Sequence, residues 1–244
     1  MMAIAVEVVF KYMAVEPALA WKKLVESHPD LLLSDQAGML YDDEISLSQT
    51  ISVIKRRKKP HFHIEFEEGT IHYNPVGNND LSFLGIEKCV TDFEDASRWI
   101  NPFLAFDAFI NARVYNIEYE YWQNASDPLQ YETAGKAYKH LPMKSNELPF
   151  PLEKTIIDIS NNPGRRVLRT GYVEAVSSIM WIGKEFWGLT NAKQNNVCAQ
   201  DWIACEVLSD NVIFTKAAES PFVHDEGEEL KIQKKLRELL FPAC

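Results

Sequence analysis

The sequence predicts an α+β fold in which mixed or antiparallel sheets have helices packed against them. Three segments support this prediction: an amphipathic hairpin at 61–74, a strictly alternating stretch at 113–122 and an amphipathic helix at 225–240. Hydrophobic residues make up 46% of the 244 residues and charged residues 25%, which is the composition of an ordinary folded domain. A chain of this length can bury a substantial core.

The N-terminal elements follow from local signals. The β-rich segment 3–12 predicts a strand. Pro17 opens a helix that ends before His28 and Pro29, because proline is accepted in the first turn and excluded from the interior. A second helix follows Asp92, since acidic side chains favour the positive end of a helix dipole.

The alternating segment 113–122 predicts a strand. Its polar face would carry Glu118 and Glu120 about 7 Å apart along the chain, a separation that suits paired carboxylates. Acidic side chains that merely face solvent are the commoner arrangement. We therefore do not assign these two residues to catalysis.

Three closely spaced prolines interrupt the chain within 142–151, which cannot be one regular element. We expect a single domain, 1–244, that can also be viewed as two α+β halves, 1–141 and 152–244. The proline-containing connection would join these halves.

The C-terminal half contains several further predicted elements. Residues 154–159 read as a short strand, and the spacing of large apolar residues over 172–187 predicts a helix. Two strands, 202–208 and 211–215, form a second hairpin. The final helix, 225–240, begins with acidic residues and continues with basic ones, in line with its dipole.

The charge of the chain limits its partners. With 35 acidic and 25 basic residues the formal net charge is −10. Such a chain repels phosphate backbones, so we expect no direct nucleic-acid binding, whereas a basic protein partner would be attracted. The N-terminal run lacks the basic region of a signal peptide, and uncharged stretches are too short to span a bilayer. We therefore expect no membrane contact and a cytoplasmic location.

The cysteines show no recognisable pattern. Cys89, Cys198, Cys205 and Cys244 contain no C-x-x-C pair, and their spacing matches neither a disulfide framework nor a zinc site. Reduced thiols are the expectation, and they favour a reducing compartment.

The hairpin within 61–74 has one apolar and one polar face. Bringing the apolar sets together requires an even-length connection, either Glu68-Gly69 or the four residues 67–70. Both connections place Glu65 opposite His72.

The polar face of this hairpin carries the residue types that bind zinc or non-haem iron. His61 lies about 13 Å along the ladder from His72, too far to share one ion. His63, Glu65 and His72 can converge and form the alternative metal site. The other interpretation is a solvent-facing polar surface whose histidines titrate near neutral pH.

Two basic clusters stand out. The run 55–59 contains only lysine and arginine. It resembles a phosphate-binding or nuclear-localisation patch, but a charged loop or an edge-strand guard is the favoured interpretation. Arg165, Arg166 and Arg169 could bind an anion, and ion pairs with the many carboxylates are the simpler account.

No catalytic signature occurs: the chain lacks G-x-S-x-G, H-E-x-x-H, a glycine-rich phosphate loop and G-x-G-x-x-G. We therefore assign no catalytic residue and expect no cofactor. Candidate partner-binding residues are the acidic and aromatic side chains of two segments: Asp42, Asp43, Glu44, Glu118, Glu120, Tyr121 and Trp122.

Two segments resemble a known family. One is the aromatic run 119–124 followed by Leu141-Pro142, and the other contains Ile179, Trp181 and the pair Phe186-Trp187, ahead of an Asp-Trp pair at 201–202. Both are similar to immunity protein family fifty-two of the bacterial polymorphic-toxin systems. The likeness covers about 80 residues, with Gln123-Asn124 where the family has Asn-Gly. It implies a cytoplasmic α+β protein that neutralises a cognate toxin, often a nuclease.

The leading hypothesis is therefore a toxin-binding immunity protein in which Tyr121 and Trp122 anchor the contact. The alternatives are a metal-dependent enzyme with its site at the hairpin and a structural or assembly subunit. The oligomeric state stays open.

Overall fold

The computed structural model describes residues 3–33, 37–41 and 43–242. Its strands, in chain order, are β1 (Ile4–Lys11), β2 (Ala37–Leu40), β3 (Asp43–Ser46), β4 (Phe62–Phe66), β5 (Gly69–Val76), β6 (Leu81–Val90), β7 (Phe109–Asn116), β8 (Met143–Ser145), β9 (Thr155–Ile157), β10 (Val167–Arg169), β11 (Tyr172–Glu174), β12 (Ile179–Gly183), β13 (Ala204–Ser209) and β14 (Val212–Lys216). Its helices are α1 (Pro17–Ser27), α2 (Asp30–Leu33), α3 (Thr50–Arg57), α4 (Phe93–Ile100), α5 (Ile117–Asn124), α6 (Pro128–Thr133), α7 (Lys184–Thr190), α8 (Gln194–Cys198) and α9 (Gly227–Leu240).

A ten-stranded antiparallel sheet organises the fold, in the order β13-β14-β12-β7-β1-β6-β5-β4-β2-β3. Two small sheets pair β8 with β9 and β10 with β11. The predicted α+β class with helices packed on sheets is confirmed. Strands from before and after the proline-containing stretch lie in this one sheet, because β7 pairs with β12.

The centre of the large sheet is buried on both faces, because β1, β6, β7 and β12 are buried at successive positions. Val8 of β1 and Trp181 of β12 belong to the core on one face, which also contains apolar side chains of α1, α3 and α4. Val9 and Ile182 belong to the core on the other face, together with side chains of α7, α8 and α9. The result is a sheet between two helical layers.

Most predicted elements are confirmed. The strand at 3–12, the helix that begins at Pro17 and the helix that follows Asp92 are β1, α1 and α4. Asp92 caps α4 by accepting a hydrogen bond from the Asp95 amide. The second hairpin and the final helix are β13–β14 and α9. None of the helices that the structure describes is long and apolar enough to cross a membrane.

The prediction of a strand over 113–122 is wrong in its second half. The strand β7 ends at Asn116, and the helix α5 begins at Ile117. The Asn116 side chain accepts a hydrogen bond from the Tyr119 amide at 2.8 Å, which is an N-cap contact that starts a helix. The alternation of tyrosine with glutamate matches a strand pattern, but the N-cap contact of Asn116 favours a helix.

The prediction of a helix over 172–187 is also wrong. This segment contains the strands β11 and β12 and only then the start of α7. All five residues of β12 are buried, since the strand has a core on each face. A short apolar run of this kind has no alternation, so its periodicity does not separate a buried strand from a helix.

The hairpin β4–β5 is confirmed, but its register is shifted by two residues. Glu67 and Glu68 connect the strands, so that Phe66 is opposite Gly69 and His63 is opposite His72. Gly69 lies in β5, and a Cβ added there would be 2.1 Å from the Glu87 carbonyl oxygen. The glycine therefore serves a close backbone approach and not the turn.

The basic run at 55–59 begins in a helix, so its first residues are neither a loop nor an edge-strand guard. Lys55, Arg56 and Arg57 form the last turn of α3, where cations suit the negative end of the helix dipole. Lys58 is the left-handed C-cap residue. The ammonium of Lys59 lies over the Tyr41 ring.

Two cysteines form a disulfide, which corrects the expectation of reduced thiols. Cys198 at the end of α8 is bonded to Cys205 in β13. Cys89 is a free thiol whose pKa is raised by burial to about 12. Because disulfides persist in oxidising compartments, the cysteines no longer support a cytoplasmic location, which stays a prediction.

Candidate functional site

The helix α5 separates the two acidic residues that were expected to share a face. Successive helical residues are rotated by about 100°, so side chains two positions apart point in different directions. Glu120 points towards the sheet, and its side chain is 16% exposed. Glu118 points outwards, with a side chain that is 77% exposed.

Glu120 belongs to a buried ion network. Its carboxylate accepts hydrogen bonds from both terminal nitrogens of Arg113, at 2.6 and 3.0 Å. The Arg113 Nε donates to Glu7 at 2.9 Å, and Arg166 donates to the other oxygen of Glu7 at 2.7 Å. Burial raises the pKa of Glu7, but the guanidiniums of Arg113 and Arg166 outweigh it and lower the pKa to about 2. Glu120 is therefore not presented to a partner, contrary to the prediction.

A second buried carboxylate accepts hydrogen bonds from three arginines. Glu174 is fully buried, and its oxygens accept hydrogen bonds from Arg165, Arg169 and Arg237. The interpretation of Arg165, Arg166 and Arg169 as ion-pair donors is thus confirmed. Together the two networks tie the segment 165–169 to β1, β11 and α9.

An acidic groove lies beside the outward face of α5. It is a cavity of about 570 Å³ between this helix and the residues that lead into α9. We define the acidic groove by six of its lining residues: Glu118, Tyr119, Trp122, Lys136, Asp225 and Glu226. Of these described residues three are carboxylates and one is an ammonium, so the groove is negative and has aromatic walls.

Side-chain amides hold the two walls of the acidic groove together. Gln123 of α5 donates to the Asp225 carboxylate at 3.2 Å. Tyr119 donates to Gln233 of α9 at 2.9 Å, and Gln233 donates to the carbonyl of His224 at 3.0 Å. Burial raises the pKa of Tyr119, so its hydroxyl stays a donor at neutral pH. The groove is therefore a preformed surface.

Lys136 shows what the acidic groove can hold. Its ammonium lies 4.3 Å from the centre of the Trp122 ring and 3.7 Å from the Glu118 carboxylate. This is a cation–π contact supported by one ion pair. An aromatic ring beside carboxylates is a suitable receptor for a lysine or arginine side chain.

The other predicted partner-binding residues lie elsewhere. Tyr121 is 46% exposed and contacts the Trp122 ring, but it does not line the groove. Asp43, which pairs with Arg57, and the exposed Glu44 are in the edge strand β3. β3 is six strands from β7, or roughly 29 Å at ordinary strand spacing. The prediction for Asp42 falls outside the described residues.

The side chains of His63, Glu65 and His72 do not surround a common point. His63 Nε2 is 2.8 Å from Glu65 Oε1, and the rings of His63 and His72 are 6.1 Å apart. The His72 ring lies across Gly85, where an added Cβ would come within 2.2 Å of it. Burial lowers the pKa of His72. Among the described residues, these three included, no group of three or more His, Cys, Asp or Glu side chains could hold a metal ion.

Sequence reasoning found one wall of the acidic groove and missed the other. Glu118 and Trp122 were predicted binding residues, whereas Lys136, Asp225 and Glu226 were not. The second wall, Asp225 and Glu226, is about a hundred residues further along the chain, and only the fold brings it to α5. One signal was present: Asn116 followed by two glutamates is the pattern of a helix N-terminus.

Comparisons with known proteins give a weak structural likeness and no family. No protein-family model and no curated protein matches the chain, so the resemblance to the immunity family stays a prediction. Among solved structures, the chain is similar to the Pseudomonas aeruginosa T6SS protein PA0821, with a TM-score of 0.48 and 10% identity. The match covers 93% of this chain and 69% of that one. At this level of similarity it supports no statement about function.

Proposed function

We propose that this chain is a protein-binding inhibitor that neutralises a basic protein partner, a bacterial toxin such as a nuclease, by direct contact. The observation that carries the proposal is the acidic groove. Its three carboxylates and two aromatic rings are arranged before any partner arrives, so little ordering entropy is lost on binding. Electrostatic attraction to a chain of net charge −10 accelerates the encounter with such a partner.

The contact of Lys136 with Trp122 suggests how the partner is held. A lysine or arginine of the partner would take the place of Lys136 on the ring, between the carboxylates of Glu118 and Glu226. The exchange gains the difference between a desolvated cation–π contact, about 2 kcal/mol, and the exposed contact that Lys136 gives up, about 0.5–1 kcal/mol. The displaced Lys136 would move into solvent.

The test uses the toxin domain encoded by the gene that neighbours the gene of this chain. We expect the domain to stop growth of a bacterial host and co-expression of this chain to restore growth. The variant with Glu118→Gln and Glu226→Gln should bind the purified domain about tenfold more weakly, because rim charges govern attraction. Calorimetry and the growth assay measure both effects.

Glu94→Gln is the matched control, because Glu94 is an exposed carboxylate in the first turn of α4, away from the groove. It should change the affinity less than twofold. The proposal is wrong if the unsubstituted chain neither binds the domain nor restores growth.

A further inference from the structure

The segment between β8 and β9 carries an unusual density of exposed apolar side chains. Phe150 is 82% exposed, and Leu152 and Leu148 are 61% and 51% exposed. Met143, at the base in β8, is 41% exposed. We call residues 143–157 the apolar arm.

The apolar area of the arm is large for a surface that is exposed to solvent. A phenylalanine side chain contributes on the order of 150–250 Å² and the leucines add to it, so the arm approaches the 300–600 Å² of a functional patch. A partner of standard size covers about 800 Å² on each side. The arm therefore supplies a large part of an interface, and neighbouring surface must supply the rest.

The arm is held in one shape by Asn146. Its side-chain amide donates to the Leu152 carbonyl at 2.8 Å, and its oxygen accepts from the amides of Lys154 and Leu148 at 2.9 and 3.3 Å. Glu147 has a left-handed φ of 60°, which costs a residue with a side chain on the order of 1 kcal/mol. Asn146 therefore satisfies backbone groups inside the loop, while the apolar side chains of the loop are exposed.

The base of the arm rests on the same small core as the acidic groove. Ile157 of β9 packs with Ala125 and Tyr131, and Trp122 packs against this cluster. The Ile157 amide also donates to the Ser126 carbonyl, just beyond α5. The arm and the groove are therefore built on one support, and one partner can touch both.

The charges of the arm favour a basic protein over a membrane. Lys144 at the base is paired with Asp158. Glu147, Glu153 and Lys154 are exposed and form no ion pair among the described residues, which leaves the arm with one negative charge. These two carboxylates would be repelled by anionic lipid headgroups, which bind basic segments. A second copy of a chain with net charge −10 would be repelled as well.

We propose that Phe150 and Leu152 of the apolar arm insert into an apolar cleft of the partner protein, whose rim carries basic side chains that face Glu147 and Glu153. This inference rests on the proposed function and names the contact that supplies its apolar part. The acidic groove supplies electrostatic attraction, and the arm supplies the buried aromatic anchor on which affinity depends.

The experiment measures binding of the purified toxin domain to variants of the full chain. Phe150→Ala should weaken binding about 30-fold or more, the effect of losing a hot-spot aromatic. Phe150→Leu should restore most of it. Val207→Ala is the matched control: Val207 is 67% exposed in the edge strand β13, and this variant should bind within twofold.

Four outcomes would overturn the inference. If Phe150→Ala binds normally while the groove variant is weakened, the arm proposal fails and the proposed function stands. If the unsubstituted chain does not bind, both fail. Co-sedimentation with phosphatidylcholine–phosphatidylglycerol vesicles that Phe150→Asp abolishes would assign the arm to a membrane. Sedimentation velocity showing a dimer that Phe150→Asp dissociates would assign it to a second copy.

Discussion

The buried ion network and the acidic groove lie on opposite sides of the same short helix, and they use the same residue types for different purposes. In the network, Glu120 is enclosed and fully paired with Arg113. In the groove, Glu118 is exposed and only loosely paired with Lys136. A carboxylate whose hydrogen bonds are satisfied inside the chain supports the fold, whereas one that keeps its solvation is available to a partner. Burial and pairing, not residue type, decide the role.

The largest effect should come from breaking the network at its centre. Arg113→Ala removes the shared partner of Glu7 and Glu120 and leaves two buried carboxylates short of a counter-charge. We expect a loss of about 3–5 kcal/mol in the free energy of unfolding, measured by urea denaturation. Arg56→Ala, an exposed cation in α3, should change it by less than about 0.5 kcal/mol. A loss below about 1 kcal/mol for Arg113→Ala would show that the ion network contributes little to the stability of the fold.

The second-largest effect should come from acid, which lowers the stability that the ion network contributes. The folded-state pKa of Glu7 is about 2 against an ordinary 4.5. The group therefore stabilises the fold above about pH 4.5, and this stability is lost as the pH falls towards 2. We expect the unfolding free energy to drop by on the order of 2 kcal/mol from this residue by about pH 3. Urea midpoints measured across this window in the parent and in Glu7→Gln isolate the contribution, and an equal acid slope in both would refute it.

The cap that divides the two regions should have an intermediate effect. Asn116→Ala removes the hydrogen bond that starts α5 and should cost about 1 kcal/mol of unfolding free energy. Glu16 occupies the N-cap of α1 without a side-chain cap bond, so Glu16→Ala should cost less than about 0.5 kcal/mol. Equal losses in the two variants would mean that the Asn116 cap does not set the start of α5.

The smallest effect on stability should come from the groove. Glu118→Gln should change the unfolding free energy by less than about 0.5 kcal/mol, because exposed ion pairs contribute little. The same variant should slow association with a basic partner, with a weaker dependence on salt. Stopped-flow binding at two ionic strengths measures this. A large loss of stability in this variant would remove the distinction between the two sides of α5.

The sequence predicted elements where one local signal dominates. The alternation over 61–74 correctly assigned the two faces of β4 and β5, and Pro17 and Asp92 correctly placed two helices. It failed where two signals compete. At 117–122 tyrosines alternate with glutamates, and only the cap at Asn116 distinguishes a helix. At 179–183 every residue is buried, so no periodicity was present to interpret.

The candidate site was predictable only in part for a different reason. Glu118 and Trp122 were chosen because acidic and aromatic side chains together suit a basic partner. Asp225 and Glu226 join them through contacts with Gln123 and Gln233 that no local pattern encodes. Glu120 was misassigned because nothing in the sequence shows that Arg113, its partner, is buried.

The pairing of β7 with β12 has a consequence for biosynthesis. When β7 leaves the ribosome, β1 can already pair with β6 on one side and with β7 on the other, but β12 follows more than sixty residues later. Until then the far side of β7 is an open row of amide and carbonyl groups, the kind of edge on which nascent chains aggregate. The interval includes the apolar arm. Slow translation or loss of chaperone protection over this stretch should therefore lower the yield of folded chain more than it does elsewhere.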